Sequence, residues 1–171
     1  MAEPHRDRIL DALTLVLSGL SGTRHWGGGY TWQGSAITPP CQRLYQEPAQ
    51  FPRLPQLIVC EQPGSMFAAP ASRPVSSGYG VTAGVGYEDR FIVGVIGYVL
   101  GDAEIPATRW LQRLWWDVIL TLKANRTLGD EANEIEFGPQ EIGLVAAQPL
   151  IAWFGQELTV IINPVVIPVE G

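Results

Sequence analysis

The segment Pro106 to Asp130, PATRWLQRLWWDVILTLKANRTLGD, constrains the fold more than any other stretch of the chain. Its apolar residues Trp110, Leu111, Leu114, Trp115, Val118, Ile119 and Leu122 recur at ~100° per residue and make one broad helical stripe. A stripe of that width needs a core to face. Pro106 suits a first turn, because a helix-opening proline gives up no hydrogen bond, and Gly129 stands just past the stripe, where a left-handed cap is usual. The opposite side carries Arg109, Arg113 and Lys123 around Trp116 and Leu120. Apolar residues on a side that should meet water leave two readings. Either Trp116 lies under a loop of its own chain, or Arg109, Arg113, Trp116, Leu120 and Lys123 form a subunit interface, where Trp and Arg are enriched.

A chain of 171 residues is long enough to bury a core as one domain without staples. Its 19 glycines and 14 prolines predict long connections, at about 21–53 and 63–83, and an extended C-terminal tail over 164–171. The net charge of −6 is unevenly spread. All 11 basic residues stand at or before Arg126, whereas Asp130, Glu131, Glu134, Glu136, Glu141, Glu157 and Glu170 follow. Such an acidic C-terminal part repels phosphates and argues against tight nucleic-acid binding; a solvated acidic face is its plainest account. Cys41 and Cys60 have neither a CxxC spacing nor a histidine at metal-ligand distance in sequence, and read as reduced structural thiols. No secretory signal or span of ~20 apolar residues is visible, so the expectation is a soluble, cytoplasmic protein that does not enter a membrane.

Along the chain, Pro4 to Leu20 places Ile9, Leu10, Leu13, Val16, Leu17 and Leu20 on one side of a first amphipathic helix. Gly22 to Pro40 reads as a loop. Its Gly27–Gly29 run lacks the Gly-Lys-Ser/Thr of a phosphate cradle, and His25 has no second histidine or carboxylate nearby in sequence. Leu54 to Gln62 reads as a buried strand central in a sheet, and Asp89 to Gly101 as a strand apolar on both faces, weakened by Gly94 and Gly97. Asn133–Phe137 and Glu157–Asn163 alternate as final strands, with a short extended piece at Leu150–Phe154 between them and a tail in which Pro168 denies a ladder hydrogen bond. The order predicts an α+β fold: a mostly antiparallel sheet with an N-terminal helix and a second long helix on one face, joined by Gly/Pro-rich loops.

Several phrases, in this order, resemble the phage tail terminator (tail completion) family. They are the N-terminal RILDAL helix, the strand phrase LPQLIVCEQPG with Pro55, Leu57, Ile58, Val59 and Gly64, and a long helix that closes on Asn125, Arg126, Thr127, Leu128 and Gly129. Asp130 departs from the second glycine often found there, and here the loops are long and the tryptophans numerous. The resemblance implies a structural virion protein of the tail and neck, assembled in the host cytoplasm. It implies a homo-oligomeric, hexameric ring that caps the head-proximal end of the tail tube, stops its polymerisation and meets a neck or head-completion protein. Glu134, Glu136 and Glu141 would then be candidates for an acidic lumen that lets DNA slide through without sequence-specific binding.

Other readings are a different neck component, such as a head-tail connector or head-closure protein, a small enzyme, or a carbohydrate-binding module. For an enzyme, Ser65 and Ser76 lack a nucleophile elbow, and Glu88 and Asp89 would point to opposite faces of a strand. No catalytic, metal-ligating or cofactor-binding set emerges. For a sugar site, Trp26, Trp32 and Trp153 are the tryptophans outside the long helix.

Overall fold

The computed structural model describes residues 5–43, 53–61, 73–76, 84–102, 104–145 and 148–168. In chain order the elements are α1 (His5–Leu17), α2 (Thr23–Trp26), β1 (Tyr30–Trp32), β2 (Ser35–Ile37), β3 (Cys41–Gln42), β4 (Gln56–Glu61), β5 (Arg73–Ser76), β6 (Gly84–Leu100), α3 (Ala107–Ala124), β7 (Glu134–Val145) and β8 (Gln148–Pro168). β1 and β2 form a separate hairpin. The main sheet runs β3-β4-β6-β8-β7, with β5 joined to the far end of β6. Every neighbour pair of that sheet is antiparallel except β3 with β4. This is the α+β class that the element order predicts.

The two amphipathic stripes decide which face the helices cover. α1 buries Ile9, Leu10, Leu13 and Leu17, and α3 buries Leu111, Leu114, Val118, Ile119 and Leu122. Both close on alternate residues of the sheet, among them Leu57 and Val59 of β4, Val93, Val95 and Val99 of β6, and Phe154, Leu158 and Val160 of β8. Each such side chain contributes roughly 1.5–3 kcal/mol when fully buried. The intervening residues point the other way, where Leu54, Ile58, Tyr98 and Ile151 pack with Trp32, Ile96, Val145 and Trp153 in a second, smaller cluster. From Val93 to Val99, β6 therefore packs on both faces, as its two-sided apolar pattern predicts. α1 is also fastened at its polar edge by Arg6 on Glu61 at 3.3 Å and by Arg43 on Asp7 and Asp11 at 2.8 and 2.9 Å.

Several local expectations change. The predicted loop Gly22–Pro40 holds α2 and the β1–β2 hairpin, because Gln33 and Gly34 take positive φ of 49° and 79° and turn the chain within two residues. The glycines there punctuate short elements rather than replace them. β4 lies second from the sheet edge instead of centrally; it is buried on both faces because the two clusters sandwich it. The two strands expected at 150–154 and 157–163 are one strand, β8, and it continues through the predicted tail to Pro168, paired with Gly84. Among the described residues, β7 pairs with β8 no further than Ile161. In the predicted 63–83 loop, 73–76 form β5, while 63–72 and 77–83 lie outside the described residues, as do 44–52 and 169–171.

Gly129 does not cap α3. Asn125 ends the helix, its N–H bonding the Leu122 carbonyl and its side-chain amide the Thr121 carbonyl at 2.8 Å. Leu128, Gly129 and Asp130 follow, all with positive φ, and the turn seats the Leu128 side chain in the core.

Gly97 is the tightest point of the sheet. It faces Phe154 across the β6–β8 ladder, and a Cβ placed on it would lie 2.2 Å from Cε1 of that fully buried ring. Gly97→Val is expected to destabilise the protein by about 1–3 kcal/mol through overpacking, read as a lowered urea midpoint. An unchanged midpoint would mean that the ring can move aside.

Candidate functional site

β7 is an edge strand bent by a bulge. Its pairing with β8 shifts between Phe137 and Gln140, at Gly138 and Pro139. The bend is held by Gln156, a buried amide of β8 whose Nε2 donates to the carbonyls of Gly138 and Glu157, both at 2.9 Å. Its Oε1 accepts from the Trp115 indole of α3 at 3.1 Å. One amide thus links the helix α3, the inner strand β8 and the bulge of β7. It sets the distance between α3 and the distal half of β7, where the register places Gln140, Ile142 and Leu144 on the helix-bearing face.

Between the two elements runs a groove of about 530 Å³ lined by Thr108, Leu111, Gln112, Trp115, Trp116, Gln140 and Ile142. Trp116 is 45% exposed, Ile142 68% and Leu144 55%. Among the described residues no loop covers Trp116: its indole leans on Trp115, ring centroids 6.0 Å apart, and forms an open wall of the groove. A lining without charged side chains beside three exposed large apolar residues is the surface expected of a protein contact.

The predicted interface residues of α3 differ in exposure and in neighbours within the chain. Trp116, Arg109 and Lys123 are exposed and Leu120 is half-buried. Lys123 places its Nζ 6.0 Å from the centre of the Phe137 ring. Arg113 turns the other way, its guanidinium 4.6 Å from the Trp26 ring centre and 5.3 Å from that of Trp110. It is occupied within its own chain. The three predicted lumen carboxylates, Glu134, Glu136 and Glu141, share the helix-free face of β7, as the register with Ile161, Thr159 and Gly155 requires. Glu134 is paired with Arg126, and Glu136 lies 3.3 Å from Arg90. Glu141 has no ion-pair partner among the described residues.

Sequence reasoning misses Asp117. It lies on the flank of α3, 2% exposed, and its Oδ2 accepts from the Gly22 N–H and the Tyr30 hydroxyl, both at 2.9 Å. His25 Nε2 stands 3.5 Å from Oδ1. The carboxylate that His25 lacks in sequence is therefore supplied from a distant helix. Trp26, Tyr30 and Trp110 enclose this cluster with ring centroids 5.5–6.2 Å apart. Burial, reinforced by the Asp117 charge, pushes the Tyr30 phenol far above its ordinary range, so it remains a donor. The arrangement anchors α2 and the β1–β2 hairpin to α3.

Two further features complete the polar map. Burial raises the Glu157 carboxyl above its ordinary range, and among the described residues its Oε2 has no hydrogen-bond partner. Burial also pushes the Cys41 thiol up to about 12 and raises that of Cys60, so neither is a ready nucleophile at neutral pH. A smaller cavity of about 220 Å³ is walled by Trp32, Leu54, Pro55, Asp102 and Trp110. Of the three tryptophans considered for a sugar site, Trp32 lines it, whereas Trp26 is packed in the Asp117 cluster and Trp153 lies close beneath Gly143. Among the described residues, no three His, Cys, Asp or Glu side chains form a metal-binding group, and no helix is long and apolar enough to cross a membrane.

Comparison with protein-family models and with curated proteins returns no match.

Asp117→Ala strands two buried donors, each costing about 1–3 kcal/mol, and is expected to raise amide hydrogen exchange across 22–30; Asp117→Asn, which keeps an acceptor, loses less. Equal exchange in wild type and the alanine variant would remove the anchoring role. Glu157→Gln separates from wild type by pH. A carboxyl raised in the folded state favours folding below its unfolded value of ~4.3 and loses that contribution as pH climbs through the folded value. The glutamine variant is therefore expected to melt higher than wild type at pH 7, with the gap closing below about pH 4. A gap that is independent of pH would assign the effect to packing.

Proposed function

We propose that this chain is a tail terminator, a structural virion protein that assembles as a hexameric ring on the head-proximal end of a phage tail tube. In this role it stops tube polymerisation and offers its other side to a neck protein, while DNA passes through the lumen without sequence-specific contacts. The observation that carries the reading is the uncharged groove between α3 and β7, with Trp116, Ile142 and Leu144 exposed beside it. A surface of that composition suits a protein partner better than a small polar substrate. The phrases RILDAL, LPQLIVCEQPG and Asn125–Gly129 support it by their order along the chain.

On this reading the outward row of α3, comprising Arg109, Trp116, Leu120 and Lys123, forms the seam between subunits. Arg113 steadies the α2 region instead. Of the candidate lumen residues, Glu141 contributes an uncompensated charge, while Glu134 and Glu136 are tempered by Arg126 and Arg90.

Electron microscopy of tubes grown from the cognate tube protein, with and without this chain, provides the test. The expected outcome is tubes capped at one end whose extension stops when the chain is added. Trp116→Glu and Leu120→Glu are expected to abolish ring formation and capping while leaving the melting temperature nearly unchanged. Tubes that extend normally, with the chain bound only on the head side, would make it a neck protein; rings that form despite both substitutions would place the seam elsewhere.

A further inference from the structure

We propose that the outer edge of β7 is a strand-addition site, which accepts an extended segment of a partner protein whose side chains alternate between apolar and basic. Three features of residues 140–144 point to it, independently of the tail reading.

The first is the edge itself. β8 occupies one side of β7, and among the described residues no strand pairs with the other, so a row of backbone N–H and C=O groups faces outward. Natural edges of this kind are usually blunted, and this one is blunted only in part. Pro139 and the bulge interrupt it after Phe137, and the Arg126–Glu134 pair stands beside the proximal half. The distal half beyond the bulge has no proline and no basic side chain.

The second feature is what lies on one side of that edge. A strand added there would lay every other side chain on the helix-bearing face, beside Ile142 and Leu144 and toward Trp116 across the groove. Apolar side chains would cover surface that the chain itself leaves exposed. The third is the charge on the opposite side. The remaining side chains of the added strand would lie on the helix-free face next to Glu141, with Glu136 and Glu134 further along. β7 contains no lysine or arginine, and neither does any residue after Arg126. Backbone pairing supplies affinity in this mode and alternate side chains supply selectivity, so the edge selects basic residues at the positions facing Glu141.

The test uses the full chain and two blocked heptapeptides, one alternating valine and lysine and one alternating valine and glutamate. Binding is followed by tryptophan fluorescence and by hydrogen exchange over 140–145. The valine–lysine peptide is expected to bind saturably, about five-fold tighter than the valine–glutamate peptide, and to protect the amides of 140–145. Glu141→Lys is expected to invert that preference. Ile142→Asn is expected to weaken both peptides; because Ile142 is exposed, its substitution leaves folding intact, which circular dichroism verifies. N-methylation of alternate peptide amides on the pairing side is expected to abolish binding.

Equal affinity for the two peptides, survival of binding after N-methylation, or absence of binding would each overturn the proposal. So would concentration-dependent self-association in sedimentation that Ile142→Asn removes, since the occupant would then be a second copy of the chain. The outcome is separable from the tail reading: capped tubes without peptide binding defeat the strand-addition site alone, and peptide binding with uncapped tubes defeats the tail reading alone.

Discussion

The pairing of β6 with β8 is the constraint on which the rest depends. It runs from Gly84 against Pro168 to Leu100 against Ile151, and the other strands of the main sheet are built outward from these two. β4 and β5 extend from β6, β7 extends from β8, and both long helices lie on the face that alternation assigns to Val95, Phe154 and Leu158. Because side chains in a strand alternate with period two, a slip of one residue would turn Phe154 away from the helices and bring Trp153 under them. The fit of Phe154 over Gly97 opposes such a slip, since a Cβ at position 97 would lie 2.2 Å from the ring. A glycine that weakens β6 as an isolated strand thus helps to determine how the sheet assembles.

Much of this architecture is legible in the residues alone. The stripes of α1 and α3 identify their buried faces almost residue by residue, because 3.6-residue periodicity maps directly onto burial. The apolar run at Leu57–Val59 and the alternation of β6 and β7 likewise name their strands. Legibility ends where distance in sequence separates the partners. Asp117 is a single acid on the flank of an apolar stripe, and only the fold brings Gly22, His25 and Tyr30 to it. Gln156 resembles any strand glutamine until the bulge of β7 and the Trp115 indole are placed around it. The β1–β2 hairpin escapes notice because glycines that look like loop composition are acting as turns at particular φ values. Of the groove, sequence places Trp116 on the side of α3 that should meet water without deciding whether a loop covers it, while the facing wall at Ile142 depends on sheet register.

The polar groups divide into those that hold the structure together and those left toward the surroundings. Arg43, Arg113 and Arg126 are engaged with their own chain, as are Glu134 and Glu136. Exposed pairs such as these contribute little to stability, typically under 1 kcal/mol, but they orient the elements that carry them. The groove, the distal edge of β7 and Glu141 lie close together in the fold. Two buried hydrogen-bonding centres, Asp117 and Gln156, brace the two flanks of α3 and keep it rigid beside that surface. An exposed apolar surface on a braced scaffold is suited to a partner that arrives preformed, since little ordering cost remains on this side.

The most direct measurement of whether this surface is an interface in the working assembly is hydroxyl-radical footprinting of Trp116 and Ile142 in the free chain and on tail tubes. Strong protection of both residues on the tube, with exposed Leu15 on α1 oxidised as before, is the result expected of an interface at the α3–β7 groove. Oxidation of Trp116 and Ile142 that stays unchanged when the chain is bound and the tubes are capped would contradict it.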